Sequence, residues 1–351
     1  MPIECNQNVP PRVFEPPELC PNSRTFVPKY QRLHIGLVNS MPDGALEATA
    51  RQFVSLLRSS ASTFLVKVSL YALPEVPRAR SGAEHIRRFY NSVTDLWGSR
   101  LDGLILTGTE PVAHDLTDEP YWPSLKKVVE WAEYNSVSTV WSCLAAHAAV
   151  LHLDGVTRHP LVGKRFGIFE CARASDHELN AGAFSSFDMP HSRWNDLNEA
   201  ELVQAGYRVL SRASDGGVDT FTKAKNSQFL FFQGHPEYEA VTLLLEYRRD
   251  LRRFFLGKRD RYPALPLRYF DQETAGTLAT LAEQAVRHPS EELLTRITNV
   301  LETARIVDSW RPIASRIYTN WLMSIAAMKG RRQRQSVVVG LDDNRVVDQA
   351  S

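Results

Sequence analysis

Apolar positions fall into two kinds of run. Short unbroken stretches at 33–38, 64–70, 103–106, 137–141 and 229–233 have the length and the β-branched or aromatic content of buried strands. Between them lie segments with apolar residues at helical spacing: 45–57 (Leu46, Phe53, Val54, Leu57), 83–90, 122–134, an alanine-rich run from Leu144, and 240–256. Strand alternating with helix in this order predicts an α/β fold, a mostly parallel sheet flanked by helices. After a Pro- and Tyr-rich connection at 257–272, three further helical patterns at 273–287, 291–305 and 310–328 predict C-terminal helices. From 154 to 217 the pattern is less regular. Residues 1–30, rich in proline and polar residues, read as an extended arm, 31–328 as a single domain, and 329–351 as a basic cluster and a polar, solvated tail with no assigned role.

Parallel sheets bind ligands beyond the carboxyl ends of their strands. Three strand ends carry turn chemistry there: 39–44 (Asn-Ser-Met-Pro-Asp-Gly), 107–111 (Thr-Gly-Thr-Glu-Pro) and the abrupt break at Ser142-Cys143. A sharp strand-to-helix turn lifts the Cys143 side chain above the sheet edge and leaves unpaired N–H groups at the start of the following helix. Those donors and the helix dipole favour thiolate over thiol and can receive an oxyanion. A buried structural cysteine is the plainer reading, so the nucleophile needs a base elsewhere. The strand at 229–233 breaks into Gly-His-Pro-Glu. His235 and Glu237, two apart in an extended segment, share a face, and the carboxylate can hold the imidazole in one tautomer. A lone His-x-Glu is commonly a surface pair. Two strand ends carrying nucleophile, base and orienting carboxylate point instead to catalysis.

Composition narrows the field. With 351 residues, 43% apolar and 23% charged, the chain has the balance of an ordinary globular protein, and a net charge of +1 gives no reason to invoke nucleic acid or an anionic membrane surface. Cys5, Cys20, Cys143 and Cys171 are far apart and form no metal-ligand spacing, which suits a reducing cytoplasm and predicts no metal. The N-terminus lacks the basic start and apolar stretch of a signal peptide, and no apolar run approaches a membrane span.

The motifs Gly-His-Pro-Glu-Tyr (234–238), Pro-His-Ser-Arg (190–193), Ala-Glu-His (83–85) with Phe89-Tyr90, Asn-Ser-Met-Pro (39–42) and Thr-Asn-Trp-Leu (319–322) resemble, in order and spacing from about residue 30 to 328, the homoserine O-succinyltransferase family. The resemblance implies a class I glutamine-amidotransferase-like fold and a Cys–His–Glu set acylated by an acyl-CoA. The implied reaction is acyl transfer to L-homoserine in methionine biosynthesis, with succinyl-CoA as donor and no cofactor beyond this co-substrate. It puts the nucleophile on Cys143, the base on His235, the orienting carboxylate on Glu237, and substrate contacts on Lys164, Ser192 and Arg249. Lys164 and Arg249 are cations able to meet an α-carboxylate or the anionic groups of an acyl-CoA, and Ser192 can orient an ammonium or hydroxyl.

Two departures bear on the donor. Asp43 and Gly44 stand where the family usually has two lysines near the oxyanion site. The loop after Gly108 reads Thr-Glu-Pro-Val instead of the usual Ala-Pro, which makes Glu110 and Val112 candidates for acyl specificity. A Glu110 side chain turned into the acyl pocket would repel a succinyl carboxylate; one turned to solvent would leave Lys164 or Arg249 to accept it. Acetyl-CoA as donor and L-serine as acceptor therefore stay open, as does a homodimer. A glutaminase-type cysteine hydrolase is a further alternative, though Trp141 and Ala145 stand where amidotransferases usually have glycines. A non-enzymatic amino-acid-binding protein is opposed by the intact Cys143, His235 and Glu237.

Overall fold

The computed structural model describes residues 3–5 and 31–347 apart from Gly216, with side chains from 31 to 332 and at Arg334. The first half of the chain follows the expected alternation: β1 (Ile3–Cys5), β2 (Gln31–Val38), α1 (Asp43–Ser60), β3 (Phe64–Ala72), α2 (Arg80–Phe89), β4 (Asn91–Ser92), α3 (Val93–Trp97), β5 (Gly103–Leu106), α4 (Trp122–Asn135), β6 (Ser138–Ser142) and α5 (Leu144–Asp154). Then come β7 (Arg158–Arg173), β8 (Ser186–Leu197), α6 (Glu199–Gln204), β9 (Arg208–Ala213), β10 (Val218–Ala224) and β11 (Gln228–Phe232). Four helices close the chain: α7 (Thr242–Phe255), α8 (Gln272–Arg287), α9 (Glu291–Thr303) and α10 (Arg311–Val347).

One sheet runs in the order β1-β3-β2-β5-β6-β11-β10-β9-β7-β8, with β4 beside β3. From β1 to β11 all neighbours are parallel; from β11 to β8 all are antiparallel. The α/β class is as the sequence predicts. The segment whose pattern looked irregular holds the antiparallel wing. Its long β7 presents exposed or half-buried side chains over Arg158–Lys164, and its pairing with β8 is irregular between Pro160 and Arg165, so no clean alternation is written into it. Most of the proline-rich arm lies outside the described residues, but Ile3–Cys5 pairs with β3 as an edge strand.

Each face of the sheet buries its own apolar layer. Leu96, Val128, Val129, Ala146, Ala149 and Val150 from α3, α4 and α5 pack on one; Phe53, Leu57, Tyr247, Leu278, Ile297 and Trp321 from α1 and α7–α10 pack on the other. The Thr319–Leu322 motif is a latch on that second layer. Trp321 donates from Nε1 to Ser138 Oγ at 2.8 Å, under the strand that carries Cys143, and Asn320 caps the Leu179 and Ala181 carbonyls at 3.2 and 2.8 Å. The expected boundary at 328 falls inside α10. Lys329 there reaches Asp102 at 2.8 Å and the Arg32 carbonyl at 3.2 Å, while Arg332 reaches the Ser136 carbonyl at 3.2 Å. This part of the basic cluster is docked, because a carboxylate and carbonyls at the amino edge of the sheet offer it partners.

Trp321→Ala removes a fully buried ring and the bond that Ser138 Oγ accepts, leaving Ser138 its bond to the Gln228 carbonyl. The expected loss is about 3–5 kcal/mol, read as a lower urea midpoint at unchanged m-value.

Candidate active site

The carboxyl ends of β2, β5, β6 and β11 meet around a cleft of about 280 Å³. Cys143 stands between β6 and α5 at φ 53°, ψ −112°, one of two non-glycine residues at positive φ among the described residues. Its N–H continues the β6–β11 ladder by donating to the Phe232 carbonyl at 2.7 Å. Ala146 and His147 donate to the Cys143 carbonyl at 2.9 and 3.3 Å, so the Leu144 and Ala145 N–H groups precede the first intrahelical bond and face the elbow. Gly108 packs against Leu144 so closely that a Cβ there would meet Leu144 Cβ at 2.9 Å. The elbow expected from sequence is present, and both it and Gly108 line the cleft.

The same cleft receives His235 and Glu237. His235 Nδ1 lies 2.9 Å from Glu237 Oε1, which also accepts from Ser142 Oγ at 3.2 Å. The His235 ring stacks on Tyr238 with centroids 4.2 Å apart. The backbone N–H of His235 donates to the Pro190 carbonyl at 2.8 Å, so the Pro-His-Ser-Arg motif seats His235. A Cβ at Gly234 would come within 2.7 Å of Asp219 and 3.1 Å of His191, which is why the strand end carries glycine. Burial disfavours a charged imidazole. The Glu237 carboxylate and the Cys143 sulfur outweigh it, and the His235 pKa is pushed up to about 10. Nε2 makes no hydrogen bond of ordinary length here, and such contacts commonly tighten only with substrate bound.

Two of the three predicted substrate contacts, Lys164 and Ser192, converge on a residue the sequence reading missed. Glu246 on α7 accepts from Ser192 Oγ, from Tyr238 Oη at 2.6 Å and from Lys164 Nζ at 3.1 Å. Burial raises its proton affinity, but Lys164, the two hydroxyls and His235 bring the pKa below the ordinary value, so it is a buried carboxylate. Arg249, one turn along, pairs with Asp250 at 3.0 Å and is half-exposed at the cleft wall. The signal for Glu246 was its i, i+3 relation to Arg249, hidden in a face crowded with arginines.

The candidates for donor choice are placed differently. Glu110 sits at the cleft rim, 55% exposed, with Oε1 held by Arg253 at 3.2 Å. Val112 is 73% exposed, its N–H held by Glu119 at 2.7 Å, and it does not line the cleft. Asp43 is occupied elsewhere: its carboxylate accepts from Ala79 N at 2.8 Å and pairs with Arg78 at 3.2 Å, tying α1 to α2.

Among the described residues one group has metal-ligand chemistry, Cys171, His191 and Asp219, buried with ligand atoms within 4.8 Å of one another. Asp219 already accepts from Ser211 at 2.7 Å and Thr220 at 2.8 Å and lies 3.3 Å from His191 Nε2. Burial chiefly drives the His191 pKa down to about 4, and the Arg193 guanidinium 3.3 Å from its Nδ1 disfavours a cation. The group reads as a polar support beneath Gly234.

Residues 20–329 match the sequence profile described as Homoserine O-succinyltransferase. The chain belongs to that family. Relatives named homoserine O-succinyltransferase include one from Methylorubrum extorquens, 44% identical over 299 residues (85% of this chain, 89% of that protein). Another, from Rhodopseudomonas palustris, is 42% identical over 295 residues (84% and 89%). A solved glutamine amidotransferase from Methylobacillus flagellatus aligns over 84% of this chain and 96% of its own at 14% identity and a TM-score of 0.44. Two of the motifs singled out in the sequence meet partners in the structure: Asn39 bonds Tyr90 Oη at 3.1 Å, and Ser192 meets Glu246 at the cleft.

A raised imidazole pKa means that folding favours protonated His235. This contribution to stability is complete below the ring's ordinary 6.5 and is lost as pH rises to about 10. NMR of the His235 ring should give a midpoint near 10, and Glu237→Gln should lower it by about 1 unit or more. Wild type should also lose more thermal stability than Glu237→Gln across that window.

Proposed function

We propose that this enzyme, acting in the cytoplasm, transfers the acyl group of succinyl-CoA to the hydroxyl of L-homoserine through an acyl-cysteine on Cys143. The observation that carries the reading is the Cys143–His235–Glu237 set opening onto a cleft that also holds Glu246 and Arg249. A carboxylate and a guanidinium one helical turn apart are complementary to the ammonium and carboxylate of an amino acid. The activity in the family's name agrees with this chemistry.

The steps follow from the charges. Protonated His235 is the counter-ion of a Cys143 thiolate, which attacks the thioester carbonyl. The oxyanion faces the N–H groups at the start of α5. The C–S bond to CoA breaks, and the departing thiolate takes the proton from His235. Acylation removes the Cys143 charge that had raised the imidazole's proton affinity, so the neutral ring is now a base. It takes the proton of the acceptor hydroxyl, the oxygen attacks the acyl-cysteine, and thiolate and imidazolium return. Glu237 holds Nδ1 and supports the charged ring in both halves.

Glu110 does not oppose a succinyl donor as the inward-turned alternative required. Its carboxylate is paired with Arg253 at the rim. Succinyl-CoA therefore remains the donor that the family and the geometry jointly favour.

Intact mass spectrometry after mixing with succinyl-CoA alone should show an acyl adduct that Cys143→Ala lacks; wild-type turnover in that variant would sink the mechanism. Glu237→Gln should keep the fold and lose about 10²–10⁴-fold in kcat. Glu246→Gln should still form the acyl-enzyme but raise the KM for L-homoserine by about 10-fold or more. An unchanged KM would remove Glu246 from the acceptor site.

A further inference from the structure

Six lysine and arginine side chains line the cleft: Arg158, Lys164, Arg193, Arg249, Arg253 and Arg259. Five are held by carboxylates. Lys164 has Glu246 and Asp250 at 3.1 and 3.6 Å, Arg193 has Asp196 at 2.8 Å, Arg253 has Glu110 at 3.2 Å, and Asp250 holds Arg249 and Arg259 at 3.0 and 3.1 Å. Arg158 differs. Its single hydrogen bond, from Nη2 to the His114 carbonyl, is long at 3.4 Å, and among the described residues no carboxylate reaches ion-pair distance.

The guanidinium is half-buried, and burial pushes its pKa down. Tyr121, Glu119, Asp115 and the Cys143 sulfur pull the other way without cancelling that loss. A guanidinium does not lose its proton in this range, so the consequence is an under-compensated positive charge facing the cleft. Glu119 is committed to the loop instead, its Oε1 accepting from Val112 N at 2.7 Å and Ala113 N at 2.8 Å. Arg158 is placed by the helix that begins at the nucleophile: α5 ends at Gly155, whose left-handed φ of 70° turns the chain into β7, and Arg158 is its first residue.

Three kinds of anion enter this cleft under the proposed reaction: the acceptor's carboxylate, the CoA phosphates and the far carboxylate of the acyl group. Arg249 beside Glu246 suits the first. The phosphates lie a whole pantetheine arm from the sulfur. The acyl carboxylate is only three C–C bonds from the carbonyl carbon bound to Cys143, and Arg158 is the cation without a carboxylate partner among those lining the same cleft as that sulfur. We infer that Arg158 is the specificity-determining residue for the donor, receiving the terminal carboxylate of a four-carbon dicarboxylic acyl group on Cys143. This rests on the acyltransferase reading above and names the cation on which its donor choice depends; of the alternatives raised from sequence, Lys164 is already bound by Glu246 and Asp250 and Arg249 by Asp250.

The test uses the acylation half-reaction, followed by intact mass, with succinyl-CoA and with butyryl-CoA, which has the same chain length and no terminal carboxylate. Wild type should acylate faster with succinyl-CoA. Arg158→Gln should lower the succinyl-to-butyryl rate ratio by about 10²-fold, mostly through the succinyl rate, at an unchanged melting temperature. Arg158→Lys should restore part of the ratio. Equal slowing with both donors, or an unchanged ratio, overturns the inference while leaving the acyl-cysteine reaction standing. No adduct from either donor in wild type would overturn the acyltransferase reading and this inference with it.

Discussion

The structure turns on one hydrogen bond, from the Cys143 N–H to the Phe232 carbonyl at 2.7 Å. It is the last rung of the parallel pairing that begins at Ser138 and Gln228, and it holds the strand leading to Cys143 to the strand leading to His235 up to the sheet edge. Beyond it Cys143 sits at positive φ, a conformation costing roughly 1–3 kcal/mol for a residue with a Cβ. The strain persists because both sides are fixed. Ser142 belongs to a buried strand, and α5 is anchored by Ala145, Ala146, Ala148, Ala149 and Val150. The Trp321 latch under Ser138 bears on the same strand from the C-terminal helices.

A second dependence is electrostatic. His235 is buried, where a neutral ring is favoured, yet two neighbouring groups hold it protonated. One of them, Glu237, is permanent. Under the proposed acyl-cysteine reaction the other, Cys143, changes charge, so that a single ring would serve as acid and then as base without moving. Tyr238 stacks on that ring and donates to Glu246, which links the ring to the proposed acceptor floor by one packing contact and one hydrogen bond.

Legibility in the sequence followed locality. Cys143 was visible because an apolar strand breaks at once into an alanine helix, and His235 with Glu237 because both lie in one four-residue strand end. The parallel strands were visible as unbroken apolar runs. The antiparallel wing was not, since β7 opens with Arg158, His159 and Lys164 and pairs irregularly before Arg165. Glu246 carries only the i, i+3 relation to Arg249 as a local signal, and Arg158 carries none. Glu246 matters through partners 54 and 82 residues earlier, and Arg158 stands out only after the other cleft cations are seen to be paired. The same limit hid the rim position of Glu110, set by Arg253 across 143 residues, and the docking of Lys329 on Asp102.

The floor formed by Lys164, Glu246, Asp250, Arg249 and Arg259 is an ionic lattice in miniature, three cations around two anions. A zwitterion is a neutral unit with two charged ends, and it can join such a lattice without altering its total charge. An amine lacking the carboxylate, or an acid lacking the amine, would leave one site of the lattice uncompensated in a partly dry cleft. Under the proposed reaction, selection for free amino acids over simple alcohols would follow from the arrangement of fixed charges before any contact is made with the reacting hydroxyl.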